Sequence, residues 1–221
     1  MTTEQWLQWW RDRASTYFTD KVWRFSRPDL VQRLNIRLDV PVLELGFGYG
    51  RELFRFCELS DSVFGLELDD WTIAATSQEL QKMGVRKPPV LARYDGVTLP
   101  FPNSFFGVVY SCFVTQHVSR ESAACMLAEA IRVCQPDGAV LFEYFGDPEC
   151  QSNEHDRFSG NPDDGGMYNN AYSREQVEGL GNRFGVIKWI EPWRITKEWG
   201  NWWLCVQPRC EGNTAVAATQ S

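Results

Sequence analysis

Histidine is nearly absent from this sequence: His117 and His155 are the only two among 221 residues. The seven cysteines, at 57, 112, 125, 134, 150, 205 and 210, are odd in number and contain no Cys-x-x-Cys pair. A zinc site is therefore not expected, nor is any other metal site. Free thiols in a reducing compartment suit this pattern better than a disulfide framework. Long apolar runs are missing too, and none approaches the about 20 residues of a membrane span. The opening Met1-Thr2-Thr3-Glu4-Gln5 lacks the basic-then-apolar build of a secretory signal, so the expectation is a cytoplasmic protein with no membrane partner. Positive charge is not in excess. A net charge of -7 argues against a broad phosphate-binding face, so no nucleic-acid partner is expected. Arg24, Arg27, Arg33 and Arg37 offer at most a local patch and read as solvated helix faces.

Tryptophan, by contrast, is abundant, with ten residues. Trp6, Trp9 and Trp10 share one face of an N-terminal helix by their i, i+3, i+4 spacing. Trp189, Trp193, Trp199, Trp202 and Trp203 crowd the C-terminal part. Core packing is the favoured role, and an aromatic lid or pocket for a flat substrate is the second reading. A hydrophobic content of 43% and a charged content of 23% belong to an ordinary globular chain.

The most specific local pattern is Val42-Leu43-Glu44-Leu45-Gly46-Phe47-Gly48-Tyr49-Gly50. An apolar strand ends in an acid, three glycines alternate, and a helix from Gly50 to Leu59 follows. Backbone without Cβ lets a ligand approach closely, so strand, glycine turn and helix make a nucleotide-binding start. The dinucleotide fingerprint wants its third glycine at position 51, where Arg51 stands, which counts against a nicotinamide dehydrogenase.

Beyond this start, strand and helix alternate. Residues 4–37 read as two amphipathic helices broken near Pro28. Strands are expected at 41–45, 62–68, 90–93, 107–113 and 139–144. A helix should run from an Asp70 N-cap to Met83, and another from Ser119 to Cys134. Residues 146–170 form a long glycine- and proline-rich loop. Ser173 and Gln176 make a capping box, and 186–195 with 200–207 read as a hairpin. The tail beyond it is small and polar and is expected to be disordered. Such alternation implies an α/β fold with a mostly parallel sheet covered on both faces.

Glu67 ends the second strand, nineteen residues beyond Gly48, where a carboxylate's paired oxygens match two ribose hydroxyls. After the third strand comes Arg93-Tyr94-Asp95-Gly96, then Leu99-Pro100-Phe101. Ser111 to His117 follows the fourth strand, and Glu129 to Gly138 leads into the fifth. These four motifs, in this order over about residues 40–145, resemble the class I S-adenosylmethionine-dependent methyltransferases, nearest the group acting on small molecules. The resemblance implies a three-layer, Rossmann-like, seven-stranded sheet with a C-terminal hairpin. It also implies an N-terminal helical lid over 1–38, a catalytic domain over 39–208 and a tail over 209–221. S-adenosyl-L-methionine is the implied cofactor, held by Glu44, Gly46, Gly48, Gly50, Glu67, Leu68, Asp95, Gly96 and Ser111. In the family the acid at Asp95 accepts from the adenine amino group, and the N–H near Gly96 meets a ring nitrogen. The chain departs from the family pattern at Gly107, Cys134 and Asp137, where Asp, Leu and Gly are usual, and it lacks the Asn-Pro-Pro-Tyr of many nucleic-acid amino-methyltransferases.

Methyl transfer from a sulfonium needs alignment and exclusion of water more than chemical activation. A base is required only when the acceptor must lose a proton. His117, just past the fourth strand, is the candidate base, with Glu143 on the fifth strand to orient or assist it. The expected reaction is methylation of an O or N atom of a small organic molecule by a monomer or homodimer. A peptide or protein methyltransferase and a silent cofactor-binding domain are the alternatives. Tyr168, Tyr172 and Tyr17 are placed near the pocket by position alone.

Overall fold

The structure, a computed structural model, describes Gln8, Arg11 and residues 28–146, 170–194 and 200–209. The expectations for Trp6, Trp9, Trp10, Tyr17, His155, Tyr168, Trp199 and the tail from 210 lie outside the described residues. A short helix α1 (Pro28–Arg33) precedes β1 (Val42–Leu45), α2 (Arg51–Leu59), β2 (Val63–Glu67), α3 (Asp70–Lys82), β3 (Val90–Arg93) and β4 (Phe106–Ser111). A single 3-10 turn (Thr115–His117) leads to α4 (Arg120–Val133), β5 (Cys134–Phe145), α5 (Arg174–Phe184), β6 (Val186–Arg194) and β7 (Gly200–Gln207).

The seven strands form one sheet in the order β3-β2-β1-β4-β5-β7-β6. β7 alone runs antiparallel to its neighbours, slotted between β5 and β6. Alternate residues serve opposite layers, as the two-residue period of a strand requires. On one face Val42, Val108, Tyr110, Leu141 and Trp203 pack under Leu30, Leu34, Leu53, Phe56 and Leu80 from α1, the turn after it, α2 and α3. On the other, Leu43, Leu45, Val109, Phe142 and Leu204 pack under Met126, Leu127, Ala130 and Val177 from α4 and α5. Burial of both faces explains why the central strands read as unbroken apolar runs. Among the described residues no helix is long and apolar enough to cross a membrane, and no group of His, Cys, Asp and Glu could hold a metal ion.

Three boundaries differ from expectation. The N-cap of α3 is Asp69, not Asp70: Asp69 is still extended at φ -121°, ψ 120°. Its Oδ2 accepts the Thr72 N–H at 3.0 Å and the Thr72 hydroxyl at 2.9 Å. β4 stops at Ser111, because Phe113 turns the chain with φ 58°. β5 starts at Cys134 rather than Ala139: Phe106 pairs with Cys134 and Val108 with Ala139, so the Pro136-Asp137-Gly138 turn is a bulge inside the strand. Arg33 and Arg37 form no shared patch and are divided among acids. Arg33 grips Glu191 with two bonds of 2.7 and 2.8 Å and lies 4.4 Å over Trp189, while Arg37 pairs with Asp39.

The family's usual Asp has no room at the start of β4. A Cβ on Gly107 would stand 2.5 Å from Val40 Cγ1, and Gly138 in turn packs against the Gly107 carbonyl and Cys134 Sγ. Two of the three departures, Gly107 and Cys134, thus meet around Gly138 in one packing arrangement at the amino ends of β4 and β5, while Asp137 is exposed. Gly107→Asp should therefore destabilise the fold, by about 1–3 kcal/mol for overpacking alone, read as a lower urea midpoint at unchanged slope.

Candidate active site

β1 lies between β2 and β4, so the chain leaves it on opposite sides and a crevice opens at the carboxyl ends of β1 and β4. The glycine turn lines that crevice. Gly46, Gly48 and Gly50 have φ of 68°, 52° and 76°, values that L side chains rarely adopt. Space forbids side chains as well: a Cβ would come within 2.4 Å of Val114 Cγ2 at Gly46, and within 2.6 Å of Thr76 Cγ2 at Gly50. The turn is pinned by the Gly46 N–H to the Leu66 carbonyl (2.8 Å), the Gly50 N–H to the Phe47 carbonyl (2.9 Å) and the Thr76 hydroxyl to the Gly48 carbonyl (2.7 Å).

Glu67 closes one side. Its Oε2 accepts the Gly48 N–H at 3.0 Å and its Oε1 the Leu68 N–H at 2.7 Å. The side chain is half-buried, and burial raises its pKa against the two N–H groups that lower it. Each oxygen keeps accepting capacity for a second donor. Asp95 is exposed at the end of β3, and its Oδ1 takes the N–H groups of Val97 (2.8 Å) and Thr98 (2.6 Å), which hold its pKa down. Gly96 beside it has φ 89°. The following loop is held from α4: Arg132 donates to the Leu99 and Phe101 carbonyls, while Glu129 accepts the Leu99 N–H and pairs with Arg132. Those two residues brace this loop rather than the sheet.

Behind the glycines lies an acidic pair that was only half foreseen. Glu44 is 4% exposed and Glu52 2%. Glu44 Oε2 and both Glu52 oxygens have no hydrogen-bond partner. Burial, then the neighbouring Glu52, pushes the Glu44 carboxyl well above the usual range, and Arg51 draws it back. Burial raises Glu52 likewise, against Arg51 and Arg55. Glu52 was missed because an acid in a helix's first turn reads as favourable to the dipole. The signal was its position: residues 52, 53, 56 and 57 share the buried face of α2.

On the far side, the Ser111 hydroxyl is buried and donates to the Leu45 carbonyl at 3.2 Å, tying β4 to β1. Glu143 is fully buried, and its Oε2 accepts the Phe113 N–H at 2.8 Å. Its Oε1 has no partner. Burial raises its pKa to about 8; the Asn201 amide approaches closely enough to oppose the rise, without reaching good hydrogen-bond geometry. His117 sits at the end of the 3-10 turn, where burial lowers its pKa to about 4. The Glu143 carboxyl thus holds the Phe113 backbone. Tyr172 is buried on the opposite sheet face, edge-on to Tyr144 at 5.0 Å, away from this crevice.

Comparison with known proteins then places the chain. Residues 42–138 match a family model described as a methyltransferase domain. Over that stretch the chain is similar to a methyltransferase domain. A ubiquinone/menaquinone biosynthesis C-methyltransferase of Burkholderia vietnamiensis is 29% identical over 114 residues, 50% of this chain and 45% of that protein. The matched stretch thus spans just under half of that relative's length. The fold recurs in an S-adenosylmethionine-dependent methyltransferase of Aquifex aeolicus (TM-score 0.65, 13% identity, 88% of this chain and 97% of that one). It recurs in the magnesium protoporphyrin IX methyltransferase of Synechocystis, solved with bound cofactor (0.63, 14%, 81% and 76%), and in the [4+2]-cyclase SpnF (0.67, 16%, 81% and 79%). The methyltransferase's cofactor fits the residues present: a side-chain-free turn, a half-buried carboxyl at its lip, and an orphaned buried oxygen on Glu44 behind it.

The raised Glu143 has a direct consequence for stability. Its folded pKa lies above its unfolded value of about 4.5, so folding takes up a proton between those values. Stability is then fully present below about pH 4.5 and is lost as pH rises toward about 8. Glu143→Gln should remove that downward slope and raise the melting temperature at pH 8 relative to the parent, followed by circular dichroism.

Proposed function

We propose that this protein transfers a methyl group from S-adenosyl-L-methionine to an O or N atom of a small organic molecule. The observation that supports it most is the left-handed glycine turn with Glu67 bound to its middle N–H. In this reading Gly46, Gly48 and Gly50 admit the methionine end of the cofactor against bare backbone. Glu67, fixed by Gly48 and Leu68, turns its remaining lone pairs to the ribose. Asp95 and Gly96 meet the adenine edge, and Ser111 sets the spacing of β1 and β4. When bound, the cofactor supplies an electrophilic methyl on a good leaving group. The chain's own task is to align the acceptor and keep water out. For a hydroxyl acceptor, His117 takes the proton. Its low pKa keeps the imidazole neutral and ready at every pH above about 5.

A second reading is a cofactor-binding domain with another chemistry, favoured by the recurrence of this fold in a protein titled a cyclase. The relative from Burkholderia is by name a C-methyltransferase, which adds an activated carbon to the acceptor atoms worth testing.

Calorimetry should show binding of S-adenosylmethionine and S-adenosylhomocysteine and none of NAD; silence with both sulfur ligands would overturn the proposal. Glu67→Ala removes charge-assisted hydrogen bonds worth roughly 1.5–3 kcal/mol each, so affinity should fall about tenfold or more in a folded variant. His117→Ala should slow turnover of a hydroxyl acceptor by roughly 10²–10⁴-fold and leave cofactor affinity intact. A neutral amine acceptor should lose little. The parent's rate should stay level from about pH 5 upward, since the titration of His117 lies near 4. A rate limb near pH 8 that Glu143→Gln abolishes would move the base role to Glu143.

A further inference from the structure

Beyond the cofactor crevice, a second set of buried polar atoms lacks a well-formed protein hydrogen bond, the Asn201 amide only approaching the Glu143 carboxyl. Glu143 Oε1, both amide atoms of Asn201 and the Trp203 indole N–H are all orphaned, on side chains with no exposed surface. Sheet register puts them together. Glu143 stands opposite Trp203, and Asn201 follows two residues earlier on β7, opposite Phe145, so the three share one face of two adjacent strands. Native folds pair nearly all buried polar groups, and four orphans on one patch ask for a common explanation.

The surroundings are aromatic. Trp203 lies 5.7 Å from Tyr110 and 6.1 Å from Trp193, and Trp193 lies 6.3 Å from Phe113. Trp203 and Tyr110 are fully buried and form a floor, whereas Phe113 and Trp193 are half-exposed and form an edge. Phe113 is held there in a left-handed backbone conformation, with its N–H on Glu143, which stores strain of the kind found at ligand sites. The patch lies at the carboxyl end of β5, one strand beyond the β1–β4 crevice.

We infer that Asn201, Glu143 and the Trp203 N–H form the recognition subsite for the methyl acceptor, and that the acceptor is an uncharged aromatic ring bearing a hydroxyl. This rests on the methyltransferase reading above. The orphaned atoms offer donors from the Asn201 amide and the indole, and acceptors from the Asn201 carbonyl and Glu143. A ring hydroxyl can accept from the two donors and donate to one of the acceptors, pairing three of the four. A carboxylate ligand would lose its hydration here with no cation among the four groups to offset the cost, and a purely apolar ring would leave all four atoms unpaired. Phe113 and Trp193 would pack the ring itself.

The test uses the full chain with 2-naphthol, naphthalene and 2-naphthoate as probes, titrated by tryptophan fluorescence with and without S-adenosylhomocysteine. The expected order is 2-naphthol tightest, with the other two about tenfold or more weaker. Asn201→Leu should weaken 2-naphthol by about tenfold and leave naphthalene and S-adenosylhomocysteine unchanged. If that variant does not fold, Asn201→Ser, which keeps one hydroxyl, should give an intermediate loss confined to 2-naphthol. Equal affinity for the three probes, or a variant that affects all ligands alike, would overturn the subsite. If S-adenosylhomocysteine fails to bind while the probe order holds, the methyltransferase reading falls and the subsite stands.

Discussion

Everything at the carboxyl edge of this sheet hangs on a turn whose backbone is left-handed at three alternate residues. Gly46 binds the turn to β2 through Leu66, Gly48 binds it to Glu67 and Thr76, and Gly50 starts α2. The same geometry that keeps side chains out brings three elements into register around one vacancy of Cβ atoms. Glu67 is consequently more than a ligand-facing acid. It completes the turn's own hydrogen bonding, so binding and local order are coupled at one carboxyl group. A neutralised Glu67 would still accept from Gly48 through one oxygen, but it would hold the loop less firmly and present less charge to a polar ligand.

The carboxyl groups around the site differ in what surrounds them, and this divides their chemistry. Asp95 is exposed and tied to two backbone N–H groups, which keep it ionised. Glu143 is buried with one N–H and is held as a neutral acid over most of the physiological range. Glu44 and Glu52 are buried beside each other with arginines behind them. A fold selected only for stability would replace such groups with apolar ones, since burying a charged or unpaired polar group is costly. Their clustering at one end of the sheet, with the core elsewhere apolar, marks that end as the working edge.

The features that were legible in the sequence obey local rules. The glycine turn, the acid nineteen residues on, the capping box at Ser173 and the C-terminal hairpin each follow from short-range backbone chemistry. What escaped depends on three-dimensional neighbours. Adjacent aspartates at 69 and 70 are chemically alike, and only the point where β2 releases the chain decides which one caps α3. The Pro136-Asp137-Gly138 turn is read correctly as a turn, but the pairing of Cys134 with Phe106 that puts it inside a strand is non-local. The bond that Glu143 makes to the Phe113 N–H could not be foreseen, since it depends on Phe113 being bent into left-handed backbone beside β5. Asn201 gave no sign at all, since its isolation depends on β7 inserting beside β5.

That insertion divides the molecule's labour along the chain. Strands β1 to β3 lead to the glycine turn, Glu67 and Asp95, while β7 contributes Asn201 and Trp203 on the far side of β4 and β5. Because β7 runs antiparallel and contributes nothing to the glycine turn, changes in its first residues alter one edge and leave the other as it is. The hairpin is in this sense an exchangeable cassette. On the proposed reading, a lineage could retune what the protein accepts by substitutions near residues 200–203, while its hold on the methyl donor is inherited unchanged from the first half of the fold.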